Sequence, residues 1–145
     1  MVSDVAPGHE SNLSWLLRGL MDQVPHTRSA VLLSADGLAI AAHGLGKDAA
    51  DQLSAIASGM FSLARTAAVR FGGSDGVRQV VAELDDTLLF VSSAGYGSVL
   101  TVLADRETDA GVLGYEMSQL VKSVRPFLAT PARQPSSGQR TGQVT

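Results

Sequence analysis

The chain has 145 residues, a hydrophobic fraction of 45%, only 17% charged residues, a formal net charge of −3 and no cysteine. This length fits one domain that can bury a core without disulfides or a structural metal. The 11 Lys and Arg residues form no basic stripe, which argues against nucleic-acid binding. The high apolar fraction favours an oligomer that buries apolar surface at an interface.

The two ends of the sequence differ in composition from its middle. The N-terminal stretch MVSDVAPGHESN has no apolar secretion signal, and nowhere do about 18 apolar residues run together. We therefore expect a cytoplasmic protein without membrane insertion. The final stretch TPARQPSSGQRTGQVT is almost free of apolar residues, which is typical of disorder. We predict a flexible tail over 1–10, one domain over 11–129 and a disordered tail over 130–145.

A helix and a β-hairpin are predicted at the start of the domain. Ser11 or Asn12 can cap the helix, and Pro25 follows its end. Apolar residues recur in it at intervals of three and four: Leu13, Leu16, Leu17, Leu20, Met21 and Val24. RSAVLLS and LAIAAH then predict two strands joined at Asp36-Gly37, a pair that supplies the positive φ angles of a hairpin turn. The preference of tight turns for aspartate therefore explains Asp36 better than a catalytic role does.

A long central helix is predicted from Asp48 to Phe71, with Gly72-Gly73 as its C-terminal stop. We predict that its larger apolar face packs on a sheet: Leu53, Ile56, Met60, Leu63, Ala67 and Phe71. The remaining positions are small and nearly uncharged, whereas an exposed helix normally carries Glu and Lys there. Small residues let a second helix approach closely, which predicts a helix–helix dimer contact. A helix covered within its own domain would show the same pattern.

Three strands and a last helix complete the predicted domain. The strands are VRQVVAEL, TLLFVSSA and SVLTVLAD. Polar residues interrupt the first of them, which is typical of an edge strand that can pair with a partner's edge. The last helix begins near Asp109 and ends at Phe127 or Leu128, frayed at Pro126.

The predicted fold is α+β, in the order α-β-β-α-β-β-β-α. Five strands form one antiparallel sheet, with the long central helix on one face and the N- and C-terminal helices on the other. The predicted dimer interface comprises Ser54, Ala55, Ser58, Gly59, Ser62, Arg65 and Thr66 on the central helix, with Arg78, Val80 and Ala82 on the strand after it.

The sequence contains no recognisable catalytic or metal motif. His9, His26 and His43 show no helical pair or His-Glu pattern, and no Gly-x-Ser-x-Gly elbow occurs. The glycine-rich FGGSDG and AGYGSV lack the Gly-Lys-Ser/Thr ending of a P-loop. Adjacent Asp85 and Asp86 fit a hairpin turn. We therefore predict no catalytic, cofactor-binding or metal-ligating residues and no enzyme activity.

Three segments together resemble the Roadblock/LC7 family, particularly its bacterial branch of MglB-like small-GTPase regulators: AVLLSADGLAIAAHG, ADQLSAIASGMFSLARTAA and LLFVSSAGYGSVLTVLAD. The resemblance covers about 11–128 and implies a profilin-like topology. It also implies dimers joined through the central helix and the edge strand after it, and a small Ras-like GTPase as partner, often linked to a sensor histidine kinase system. Asp36-Gly37 matches a family turn without catalytic role.

Two functional hypotheses follow. The first is a non-enzymatic homodimeric adaptor or regulator of a small Ras-like GTPase, with Arg65, Arg70 and Arg78 as candidate partner contacts. An arginine finger is one way in which such residues act, but solvated or dimer-bridging arginines are favoured, since the resemblance implies repositioning of the GTPase's own residues.

The alternative is a ligand-sensing or scaffold domain of PAS or profilin-like type without a GTPase partner. It requires an apolar pocket with a few polar groups. Trp15, Tyr96 and Tyr115 are the large side chains that could supply them, although each could equally belong to the core. An enzyme ranks last.

Overall fold

The computed structural model describes residues 9–129, with side chains over 13–128. The elements are α1 (His9–Gln23), β1 (Thr27–Leu33), β2 (Ala39–His43), α2 (Lys47–Phe71), β3 (Gln79–Glu83), β4 (Thr87–Gly95), β5 (Ser98–Asp105) and α3 (Ala110–Ala129). Their order confirms the predicted one. The predicted tails fall outside the described residues over 1–8 and 130–145.

The start of α1 differs from the prediction. The helix begins at His9, before the expected caps Ser11 and Asn12, so 9–10 belong to the helix and not to a tail. Ser and Asn are tolerated in a first turn, so their presence does not fix the boundary.

The five strands form one antiparallel sheet in the order β2-β1-β5-β4-β3. The helix α2 packs on one face, and α1 and α3 pack on the other. Both features confirm the predicted fold, including β3 as an edge strand. Of the described helices, none combines the length and apolarity needed to span a bilayer.

Alternation along the strands divides the core into two layers. In β1, Ala30 and Leu32 face α1 and α3, whereas Val31 and Leu33 face α2. The layer under α1 and α3 is the larger and is centred on fully buried Phe90 and Met117. In the layer under α2, most of the large buried side chains belong to strands of the sheet: Val31, Leu33, Leu89, Val91 and Val99.

The prediction of which side of α2 faces the sheet is right only for Leu53, which is buried, and Met60, which packs against the same layer. Its fully buried residues are Ala50, Leu53, Ser54 and Ala57. Of the residues expected to face inward, Ala67 is exposed, and Ile56, Leu63 and Phe71 expose 53%, 72% and 86% of their surface. Because the sheet supplies the large side chains in this layer, small residues on the helix allow the close approach.

Ser54 fits this buried position because its hydroxyl donates a hydrogen bond to the carbonyl oxygen of Ala50, at 2.8 Å. At the start of the same helix, the Lys47 ammonium donates to the Asp51 carboxylate at 2.9 Å. That hydrogen bond and the attraction between the two charges raise the pKa of Lys47. The two residues lie one helical turn apart, and both side chains are exposed to water.

The predicted hairpin turn forms at Asp36-Gly37, but only Gly37 and not Asp36 has the positive φ expected of the pair. The Gly37 N–H donates to the Ser34 carbonyl at 2.9 Å, and Gly37 has a φ of +85°. The exposed Asp36 carboxylate accepts a hydrogen bond from the Ser34 hydroxyl. Asp36 therefore interacts with its own turn, as expected for a structural residue.

Two helix ends differ from the expected ones. Gly72 follows α2 in extended and not left-handed backbone, and its N–H donates to the Ala68 carbonyl at 2.8 Å. The helix α3 continues past Pro126 to Ala129. Phe127 and Leu128 pack against the core beneath α1 and α3, and this contact holds the last turn despite the proline.

Candidate protein interaction site

The side of α2 that points away from the sheet carries apolar and small residues. We call it the α2 outer face and define it by residues that all lie exposed on the helix: Ala55, Ile56, Gly59, Ser62, Leu63 and Thr66. Glycine and short side chains alternate along it with two large aliphatic ones. Such a surface allows a second helix to approach closely and offers it apolar area to bury.

The predicted interface residues divide into two groups. Ala55, Gly59, Ser62, Arg65, Thr66 and Arg78 are exposed, and Ser58, Val80 and Ala82 are half-buried. Ser54 is fully buried beneath the helix, and its hydroxyl is satisfied within the chain. Its side chain therefore does not lie on the α2 outer face.

The strand β3 lies at the sheet edge next to α2. It pairs with β4 on one side, and no strand among the described residues pairs with its other side. Val80 and Ala82 face the layer under α2, whereas Val81 is half exposed on the opposite face. An unpaired edge of this kind is a template for another strand.

A groove of about 620 Å³ lies between the second half of α2 and the sheet end that carries the β1–β2 and β4–β5 turns. Phe61, Val69 and Val99 supply apolar surface, and Arg65 and Arg70 supply positive charge. Arg65 lies 3.6 Å from the Asp75 carboxylate, in an exposed pair that water screens strongly.

The structure places two of the three candidate partner-contact arginines together. Arg65 and Arg70 line the groove, whereas Arg78 is exposed just before β3 and does not line it. The carbonyl oxygen of Arg78 accepts a hydrogen bond from the Ser93 N–H at 3.4 Å. Its backbone is therefore held to β4 while its side chain faces solvent.

The aromatic residues considered for a sensor pocket lie on the surface. Trp15, Tyr96 and Tyr115 are each more than half exposed. Tyr96 is in the β4–β5 turn with a φ of +54°. None of the three lines the groove beside α2, and Trp15 lines a smaller cleft of about 260 Å³ between α1 and α3.

The fold and this surface define a class of protein: a small α+β domain whose sheet carries helices on both faces, with an exposed apolar helix beside an open sheet edge. A model of the Roadblock/LC7 domain matches residues 13–104. The chain belongs to the Roadblock/LC7 family, which is known as a family of regulatory adaptor domains.

Solved structures agree with this assignment. A Roadblock/LC7 domain from Streptomyces avermitilis is 64% identical, with a TM-score of 0.79 over 81% of this chain and 98% of that one. Another from the same organism is 38% identical, with a TM-score of 0.62 over 77% and 96%. Myxococcus xanthus MglB shares the fold at 13% identity, with a TM-score of 0.77 over 93% and 100%. The curated proteins include no match.

Proposed function

We propose that this protein is a homodimeric, non-enzymatic adaptor or regulator of a small Ras-like GTPase. It would act in the bacterial cytoplasm, modulate the nucleotide cycle or the location of the GTPase, and belong to a signalling system linked to a sensor histidine kinase. Membership of the Roadblock/LC7 family supports GTPase regulation. The observation that carries the dimer is the apolar α2 outer face beside the open β3 edge.

The exposed Leu63 on this face indicates how large its contribution to the free energy of dimerisation should be. Fully burying a leucine side chain contributes about 1.5–3 kcal/mol, and Leu63 exposes 72% of its surface in the single chain. If a symmetric contact buries the exposed part of both copies, the two residues together contribute roughly 2–4 kcal/mol to dimerisation. Because alanine still buries part of this area, Leu63→Ala should then raise the dimer Kd roughly tenfold or more.

Analytical ultracentrifugation over a range of concentrations measures this effect. Val112→Ala is the matched control, because Val112 is a partly exposed aliphatic residue of α3 on the opposite face of the sheet. It should leave the Kd unchanged. A monomeric wild-type chain, or equal effects of both variants, would contradict the proposed interface.

The arginine-bearing groove supports a second partner contact, which shares Ser62 and Thr66 with the α2 outer face. Arg65 and Arg70 give it positive charge within apolar walls, and charge of one sign favours partners with acidic surfaces. We propose Arg65, Arg70 and Arg78 as contacts that bind the GTPase and bias its switch loops toward one nucleotide state. An arginine finger is the less favoured role, since the family resemblance implies repositioning of the GTPase's own residues.

Capture of partners tests this contact. The tagged full chain is incubated with native lysate in GDP or in a non-hydrolysable GTP analogue, and bound proteins are identified by mass spectrometry. Recovery of a Ras-like GTPase in one nucleotide state only would support regulation. With that GTPase purified, Arg70→Ala should weaken binding, whereas Arg18→Ala, an exposed arginine of α1, should not. A stable dimer that captures no GTPase would contradict the partner assignment.

If an arginine of the groove acts as a finger, its alanine variant will abolish stimulated GTP hydrolysis while the GTPase still binds. If it acts as a docking contact, binding and stimulation will fall together. Single-turnover hydrolysis with saturating adaptor separates the two roles.

A further inference from the structure

Three potential metal-ligating side chains meet at the end of the sheet opposite the groove beside α2. His26 precedes β1, Asp105 ends β5 and Glu107 follows in the next turn. One ligand atom from each, the imidazole nitrogen and two carboxylate oxygens, lie within 4.8 Å of one another. About 80 residues separate His26 from the two acids along the chain, so no sequence motif signals this group.

Backbone hydrogen bonds fix the two segments that carry these side chains. The Asp105 N–H donates to the His26 carbonyl at 2.8 Å, and the Thr108 N–H donates to the Asp105 carbonyl at 3.0 Å. The buried Thr108 hydroxyl also donates to the Pro25 carbonyl at 3.5 Å. These bonds hold the backbone of the two segments together, while the His26 and Glu107 side chains are exposed.

The surrounding charges favour a cation. Asp85, Asp86, Asp105 and Glu107 line the same depression together with Arg28 and Arg106, so four carboxylates oppose two guanidinium groups. Arg28 pairs with one of these four carboxylates, Asp105, whereas Arg106 pairs with Glu83, which does not line the depression. Arg28 Nε lies 2.8 Å from Asp105 Oδ1, and Arg106 lies 2.5 Å from the Glu83 carboxylate.

The Arg28 pair also orients a ligand. It uses one oxygen of the Asp105 carboxylate, and a carboxylate has a second oxygen available to a metal. Partners that hold a ligating carboxylate in this way are common around metal sites and tune their affinity.

We propose that His26, Asp105 and Glu107 form a binding site for a divalent transition-metal ion such as Zn²⁺ or Mn²⁺. One imidazole nitrogen with two carboxylate oxygens suits these ions better than Ca²⁺ or Mg²⁺, which take oxygen ligands. The site lies away from the groove and is independent of the proposed GTPase contact.

Zinc titration of the full chain tests the proposal. The protein is stripped with a chelator, dialysed and titrated with ZnCl₂ against a chromophoric zinc indicator. His26→Asn removes the imidazole and suits the backbone, because His26 has a φ of +72° and asparagine tolerates that region. Glu107→Gln removes the second carboxylate with little change in shape. The matched controls are His43→Asn and Glu116→Gln.

We expect one Zn²⁺ per wild-type chain. Both site variants should weaken binding at least about tenfold, and both controls should bind as the wild type does. Absence of saturable binding would overturn the proposal, as would equal affinity of His26→Asn and wild type.

Paramagnetic broadening gives an independent readout. In ¹H–¹⁵N spectra, substoichiometric Mn²⁺ should broaden the amide signals of His26 and of residues 105–108 first, and the unbroadened signals report whether each variant is folded. Broadening centred on Asp48 and Asp51, the acidic pair at the start of α2, would contradict the assignment.

Discussion

Replacing Gly59 by glutamine should change the stability of the single chain and of the dimer in opposite directions. Gly59 lies in the interior of α2 on its outer face, and a Cβ added there meets nothing within 4 Å. Glycine in a helix interior costs about 0.8–1.0 kcal/mol relative to alanine, and glutamine costs much less. The variant should therefore raise the free energy of unfolding of the chain by roughly 0.5 kcal/mol.

The same substitution should weaken the dimer. If a second helix packs closely at Gly59, a glutamine there overfills the contact, which typically costs about 1–3 kcal/mol per site. A symmetric dimer contains the site twice, so the expected loss is at least about 2 kcal/mol, or roughly 30-fold in Kd.

Urea unfolding at several protein concentrations separates the two effects, because dimer dissociation makes the midpoint depend on concentration. The dimer Kd is measured by ultracentrifugation. Gly19→Gln is the matched control: Gly19 is an exposed glycine of α1, and a Cβ there also meets nothing within 4 Å. It should show the gain in stability without the loss of dimer. An unchanged Kd for Gly59→Gln would refute close helix packing at this face.

Three further predictions concern the turns, the core and the groove. Asp36→Ala should lower the free energy of unfolding by no more than about 1 kcal/mol, because it removes one exposed hydrogen bond from the Ser34 hydroxyl. Urea unfolding measures this, and a folded variant that has lost all GTPase binding would contradict the structural role. Phe90→Ala should cost about 3–5 kcal/mol, since the ring is fully buried. Thermal unfolding checks it, and a loss below 1 kcal/mol would mean that the core repacks. Arg65→Ala should leave stability within about 0.5 kcal/mol because its pair with Asp75 is exposed. A larger loss in chemical unfolding would show that the pair is structural.

The fold could be predicted from the sequence because each element has a local signal. Short apolar runs between glycine-bearing turns predicted the strands, and helical spacing predicted the three helices. The predictions of where α1 begins and where α3 ends were less accurate. Where a helix begins and ends depends on which backbone groups at its ends find hydrogen-bond partners. At the end of α3, the packing of Phe127 and Leu128 outweighs the local effect of Pro126.

The orientation of α2 could not be read from the size of its side chains. Larger apolar residues were expected inside, yet Ile56 and Leu63 are outside and Ala57 is inside. The deciding factor is the volume already filled by the sheet, which a helical pattern does not contain. This orientation makes the α2 outer face more apolar than the small residues alone indicated.

The two candidate sites differ in how much of each could be predicted from the sequence. The exposed small residues of α2 carry a periodic signal, so most of that face was identified. His26 has no such signal, because its neighbours Asp105 and Glu107 are brought to it by the pairing of β1 with β5. Antiparallel pairing brings together residues that are distant along the chain, and which strands pair cannot be predicted from a single sequence.

The strand order of the sheet also limits how far association can continue. If two copies join β3 to β3 about a two-fold axis, each copy uses the same edge, and the joined sheet is bounded on both sides by β2. Such pairing uses the free edge of β3 in both copies, so no third copy can join through β3. Growth through this contact would therefore stop at two copies, which separates a discrete regulatory dimer from a fibre.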